Sequence, residues 1–324
     1  MKFAIVGAGA IGAYIGAKLW LSGHDVSLIA RGDHLNKMRE NGIKILDPLE
    51  DFVAYPRATD DYDEVGTVDF VFLTVKAHSL TEVVGKLAPL MGPNTSVVSA
   101  QNGIPWWYFF GHEGVWNGTQ LKSVDPEGII SKYIEPERII GCILYLSTEI
   151  VKPGVIRFTE GDRLAIGELD GSNSERSKEL SDAIKKTGLR CPIRSRIRED
   201  LWVKLLGNVA FNPISALTRS TLDIIISDKG LATLARVVME EADSVARALG
   251  VNVPISIERR MAGASKVGPH KTSMLQDVEK GRKMELDSIL GAVVELGDKL
   301  GVPVNTTRYI YSCAKLLERN LIDK

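Results

Sequence analysis

The chain has little of what marks disulfide, metal, nucleic-acid or membrane chemistry. Its three cysteines, Cys142, Cys191 and Cys313, are far apart and odd in number. That excludes a disulfide framework and the paired spacing of a zinc site, and it favours a reducing, cytoplasmic setting. The five histidines, His24, His34, His78, His112 and His270, lack metal-ligand spacing, so no metal is expected. Charge of neither sign is in excess: 40 basic against 41 acidic residues leave a net charge of -1, with no electrostatic footprint for nucleic acid or an anionic membrane. Long apolar runs are missing too. After Lys2 the stretch FAIVGAGAIGAYIGAKLWL imitates a secretory signal, but four glycines interrupt it, and nothing else nears the roughly 20 apolar residues of a membrane span. What remains is an ordinary globular composition, 44% apolar and 25% charged, in 324 residues, enough for two domains that act on small molecules or bind protein.

The chain opens with a short β-type run, Lys2 to Val6, then Gly7-Ala8-Gly9-Ala10-Ile11-Gly12, then an apolar helix from Tyr14 to Leu21. Strand, glycine turn and helix form a dinucleotide-binding pattern. Gly7 permits the turn, Gly9 lets the backbone approach a pyrophosphate, and Gly12 lets the helix pack on the strand, with phosphate held by free N–H groups at the helix start. A second strand, Asp25 to Ala30, follows at the expected distance and ends in Ala30-Arg31 instead of an acid. A small residue followed by a guanidinium suits a ribose 2′-phosphate, hence NADP(H); the competing reading leaves Arg31 on the surface and gives Asp33 to NAD.

Gly42 to Ala54 reads as a hairpin, and Val68 to Val75 as a strand covered on both faces, closed by Lys76, which either reaches cofactor or is simply solvated. Ser96 to Ala100 is the next strand, ending in Gln101-Asn102-Gly103. Asn102 sits where sheet edges bind ligands, although Asn-Gly is also a turn signal. Trp106, Trp107, Tyr108, Phe109, Phe110 and Trp116 then crowd one segment, either a lid or subunit contact, or a local core under a long loop. Further strands are expected over Arg138 to Leu146, Gly154 to Phe158, Arg163 to Gly167 and Arg190 to Ile193, with an amphipathic helix from Ser174 to Thr187. Beyond about Arg196 only helical periodicity remains, which divides the chain into an α/β domain, 1–195, and an all-α domain, 196–324.

Within the helical part, Glu199 to Arg219 carries Lys204, Asn208 and Asn212 at four-residue steps, about 40° apart around a helix, amid Leu201, Trp202, Leu205, Leu206, Val209, Ala210 and Phe211. Three polar groups in line on so apolar a helix need partners. Either a snorkelling lysine and backbone-paired amides ahead of a Pro213 break supply them, or a substrate does. Later, Ser273-Met274-Leu275-Gln276 has the form of a capping box and of an anion-binding helix start. The helix is expected to run on through Gly281, so that Glu285 shares a face with Asp277; the plainer reading of Glu285 is a solvated acid among Lys280, Arg282 and Lys283.

Together these motifs resemble the ketopantoate reductase (2-dehydropantoate 2-reductase) family along nearly the whole chain. The resemblance rests on Gly7 to Gly12, Arg31, Lys76 and Asn102, on Trp202, Lys204, Asn208, Asn212 and Pro213, and on Ser273 to Asp277 with Glu285. It implies a Rossmann-type NADP-binding domain followed by a helical substrate domain, and NADPH-dependent reduction of a 2-oxo acid. It also implies that Lys204 is the general acid, its pKa brought toward working pH by burial. Asn208 and Asn212 would orient the substrate, Ser273 and the N–H groups through Gln276 would hold its carboxylate, and Glu285 would contact cofactor ribose. Expected partners are a small 2-oxo acid and, where the chain self-associates, a second copy in a homodimer. Leu222 stands where some members place another substrate-binding asparagine, which bears on substrate identity. Two other readings compete: an opine or hydroxyacid dehydrogenase with a histidine base, for which the helical part offers only His270, and a non-enzymatic NADP(H) sensor, which gives Lys204 no role.

Overall fold

Apolar runs bounded by glycine and proline become the strands of one nine-stranded sheet in the computed structural model, which describes residues 1–112 and 114–322. The strands are β1 (Lys2–Val6), β2 (Asp25–Ile29), β3 (Ile43–Leu46), β4 (Phe52–Ala54), β5 (Arg57–Thr59), β6 (Val68–Leu73), β7 (Met91–Ser99), β8 (Ile139–Lys152) and β9 (Val155–Glu168), in the order β4-β3-β9-β8-β7-β6-β1-β2-β5. From β5 through β2, β1, β6 and β7 to β8 every pairing is parallel. The helices accompanying this sheet are α1 (Ala10–Leu21), α2 (Gly32–Asn41), α3 (Leu80–Val83), α4 (Ile129–Tyr133) and α5 (Glu175–Lys186). Continuous burial of Ala4, Ile5, Val6, Val71, Phe72 and Leu73 reflects a sheet covered on both faces.

The remaining elements are helical: α6 (Ile197–Thr218), α7 (Leu222–Ser227), α8 (Lys229–Ala248), α9 (Ile257–Val267), α10 (Ser273–Glu279), a π-helical turn Asp287–Gly291, α11 (Ala292–Leu300) and α12 (Asn305–Ile322). The chain forms two units, one of Met1–Gln101, Phe109–Thr119 and Gly128–Ile197, the other of Asn102–Tyr108, Gln120–Glu127 and Arg198–Lys324. The segment carrying Asn102 therefore belongs with the helices.

Several expectations need correction. The strands expected over 138–146, 154–158 and 163–167 are two long ones, because β8 and β9 pair antiparallel throughout and absorb polar positions in bulges. Gly161, at φ +90°, makes one of these possible, since a side chain there would strike the Tyr145 carbonyl. The strand expected over 190–193 shrinks to isolated bridges from Arg190 to Arg163 and from Ile193 to Ile166. Pro213 does not end its helix: α6 continues to Thr218, and the proline only withholds the N–H that would have met the Val209 carbonyl. The cap of α10 is Thr272, whose hydroxyl accepts from Leu275 N at 3.2 Å, so Ser273 is the first helical residue. Gln276 Nε2 donates to the Lys271 carbonyl at 3.2 Å and does not close a capping box. Nor does α10 reach Glu285. Gly281, at φ +60°, turns the chain, and Arg282 N bonds back to the Asp277 carbonyl at 2.8 Å, so Glu285 follows α10 outside any helix and does not share a helix face with Asp277. The aromatic segment is a local core, with Trp106, Trp107, Tyr108 and Phe109 all buried.

Candidate active site

Each glycine of the motif has its own steric reason. A methyl group on Gly7, at φ +96°, would lie 2.6 Å from Val75 N, and one on Gly12 would lie 2.6 Å from the Gly7 carbonyl and 3.0 Å from Ile5. On Gly9 it would meet nothing nearer than the Gly7 carbonyl at 3.9 Å. Gly7 and Gly12 thus permit close internal packing, whereas Gly9 leaves the backbone open on its outer side. Gly9 is also the N-cap of α1, with no acidic residue in the first turn, and Ala8, Ala10 and Ile11 complete the loop. An open backbone beside unshared N–H groups at the start of a twelve-residue helix fits the pyrophosphate of a dinucleotide.

Arg31 caps the start of α2, its side chain 87% exposed and only loosely paired, with Nη1 3.8 Å from Glu82 Oε2. Lys76 follows β6 and is partly buried. His34 lies close by: its Nδ1 accepts from Gly154 N at 3.0 Å, and burial holds its pKa below the ordinary histidine value. No sequence signal marked that residue.

In the helical unit, Lys204 Nζ donates to Asn102 Oδ1 at 2.8 Å, and Asn102 Nδ2 donates to Glu285 Oε2 at 3.0 Å. Three residues separated by up to 183 positions form one chain of polar contacts, amine to amide to carboxylate. Asn102 reaches Lys204 because Gly103 adopts φ +86°, letting the backbone lie against Ser288, whose carbonyl accepts from Ile104 N at 2.8 Å. Downstream, Tyr108 is clamped to α6: Trp202 Nε1 donates to its hydroxyl at 2.7 Å, and Arg198 Nε donates to its carbonyl at 2.8 Å. Burial pushes the Tyr108 phenol up to about 12, so it stays neutral.

Asn208 and Asn212 continue the stripe above Lys204 on α6, Asn212 being only 6% exposed. Ser273 is exposed at the start of α10 and Gln276 is partly buried one turn on. The structure joins Lys204, Asn102 and Glu285 by direct bonds; Ser273 and Gln276 are not bonded to that chain. Gly103, Tyr108 and Arg198 were missed as parts of the site, although the Asn-Gly pair and the aromatic run were visible signals.

Residues 3–171 match the family model for ketopantoate reductase PanE/ApbA, and residues 196–318 match the model for its C-terminal part. The chain belongs to the ketopantoate reductase family. The 2-dehydropantoate 2-reductase of Mesorhizobium japonicum is 48% identical over 318 residues, covering 98% of both chains. Among solved structures, a candidate ketopantoate reductase from Ralstonia solanacearum MolK2 aligns with a TM-score of 0.93 at 35% identity, covering 98% of both chains. A PanE/ApbA family ketopantoate reductase from Ralstonia eutropha JMP134 aligns with a TM-score of 0.85 at 27% identity, covering 99% of both. The protein is accordingly an oxidoreductase of the 2-dehydropantoate 2-reductase type, with a sheet-and-helix dinucleotide unit and a helical unit. No helix among the described residues is long and apolar enough to cross a membrane.

Proposed function

We propose that the protein reduces the 2-oxo group of 2-dehydropantoate to a hydroxyl, with NADPH as the nucleotide and Lys204 as the proton donor. The observation that carries this reading is the polar chain from Lys204 through Asn102 to Glu285. The amide oxygen that accepts from the Lys204 amine cannot take a proton from it, so the bond orients the amine without consuming its proton. When bound, the nicotinamide supplies the hydride. Lys204 gives its proton to the carbonyl oxygen as that oxygen becomes an alkoxide, and is re-protonated from solvent. Asn208 and Asn212 orient the substrate, and Ser273 with Gln276 offers hydrogen bonds to its polar end. In this reading residues 1–195, apart from the segment carrying Asn102, serve the nucleotide, held by the Gly7 to Gly12 loop with Lys76, and residues 196–324 serve the substrate. Glu285 has a second use as a ribose contact. Arg31 favours NADPH because its exposed guanidinium follows Ala30, where NAD enzymes usually place an acid.

The test is NADPH oxidation against a panel of 2-oxo acids, run with the wild type and with Lys204→Ala. The expected outcome is fastest turnover of the branched, hydroxylated 2-oxo acid and a loss of about 100- to 10,000-fold in kcat in the variant. Unchanged kcat would remove Lys204 from the mechanism. Preference for an unbranched or aryl 2-oxo acid would keep the reaction and replace the substrate with that of a hydroxyacid dehydrogenase.

A further inference from the structure

Gly207 lies on α6 between Lys204 and Asn208, and it is the one residue of that turn without a side chain. The space is taken by Arg260 of α9. A methyl group built on Gly207 would sit 2.6 Å from Arg260 Cζ and 2.7 Å from Nε, closer than any real Cβ contact. The guanidinium therefore rests on the helix backbone at the turn that also carries the proposed proton donor. Positions three apart on a helix are surface neighbours, about 5–6 Å between Cβ atoms, so the position this cation covers borders that of Lys204.

We propose that Arg260 is a substrate-binding residue that holds the carboxylate of the 2-oxo acid. The inference rests on the reading of Lys204 as proton donor and deepens it. A 2-oxo acid carries its carboxylate on the carbon next to the carbonyl. A site that places the carbonyl oxygen on Lys204 therefore needs an anion partner one short step away. Ser273 offers a neutral hydroxyl. Arg260 offers full charge in a planar fork that matches a carboxylate in geometry, which a hydroxyl cannot do. The missing side chain at Gly207 then has a functional reason: glycine in a helix interior costs about 1 kcal/mol relative to alanine, and here it admits the guanidinium.

The experiment compares each 2-oxo acid turned over by the wild type with its neutral primary amide, using NADPH oxidation by the full chain and by Arg260→Gln, Arg260→Lys and Gly207→Ala. For Arg260→Gln the expected result is a fall in kcat/KM for the acid of about 100-fold, carried by KM, with little change for the amide. Arg260→Lys should recover part of the loss, and the KM for NADPH should stay within about twofold. Gly207→Ala, which raises helix propensity, should keep or raise the thermal midpoint while displacing the guanidinium and lowering turnover of the acid. Equal losses for acid and amide would reduce Arg260 to a packing contact between α9 and α6 and overturn the inference, as would no loss at all. A wild type inert toward every 2-oxo acid would overturn the underlying reading, and this inference with it. Active wild type with an unaffected Arg260→Gln sinks the inference alone.

Discussion

Gly103 does for Lys204 what Gly7 does for the nucleotide loop, yet its reason could not be read locally. Its φ of +86° and its contact with the Ser288 backbone bring Asn102 to the amine. The Asn-Gly pair announces a turn, but the obstacle that makes glycine necessary lies far along the chain. Gly103→Ala should cost about 2 kcal/mol or more in urea unfolding and should also lower kcat, because the new methyl must push the turn away from Ser288. An unchanged midpoint with unchanged kcat would contradict it. By contrast, the close packing that requires glycine at positions 7 and 12 was legible, since strand, turn and helix are neighbours in sequence. Arg31 is also a local signal. Replacing it with alanine should raise the KM for NADPH by about 10-fold or more and leave that for NADH nearly unchanged, because only the phosphate needs the guanidinium. An equal effect on both nucleotides would contradict the assignment.

At the scale of elements, existence was easier to read than extent. Helical periodicity marked α6 and the helices after it, and the strand and helix read on either side of the glycine turn are β1 and α1. The end of α10 was misjudged because a glycine in a polar stretch fits a helix exterior as well as a stop; the left-handed φ of Gly281 decides it. Likewise β9 read as two strands, and β8 read as ending at Leu146, because bulged residues interrupt the alternation. One junction carries a pH prediction. Glu168, at the end of β9, is buried and accepts bonds from Ser174, Ser177 and Arg176 at the start of α5. Burial alone would raise its pKa, but those hydrogen bonds and the Arg176 charge outweigh burial and hold it below the ordinary glutamate value of 4.5. A depressed carboxylate stabilises the fold above the unfolded-state pKa, and that contribution disappears as pH falls through the lowered folded value. Glu168→Gln should therefore be less stable by about 1–3 kcal/mol in urea unfolding at pH 7. The gap from wild type should narrow as pH drops below 4.5. A gap independent of pH would remove the charge from the explanation.

The whole molecule shows why some of the site lay beyond sequence reasoning. Periodicity marks where α6 begins but gives no signal for upstream segments that pack with the helices, and two such segments, Asn102–Tyr108 and Gln120–Glu127, belong to the helical unit. They supply Asn102 to Lys204, the Tyr108 hydroxyl to Trp202, Ile104 N to the Ser288 carbonyl, and the N–H groups of Lys122 and Ser123 to Glu295 at 3.0 and 2.9 Å. A fragment of residues 198–324 would lose all of these at once, leaving the Trp202 indole N–H and the Glu295 carboxylate without the partners that offset their burial. Hydrogen exchange across 201–211 of α6 should therefore be much faster in that fragment than in the intact chain. Trp202, the only tryptophan the fragment contains, should emit at longer wavelength. Equal protection of these amides in fragment and intact chain would mean that the two segments place Asn102 without holding the helices together, and that the helical unit is built by the residues after 197 alone.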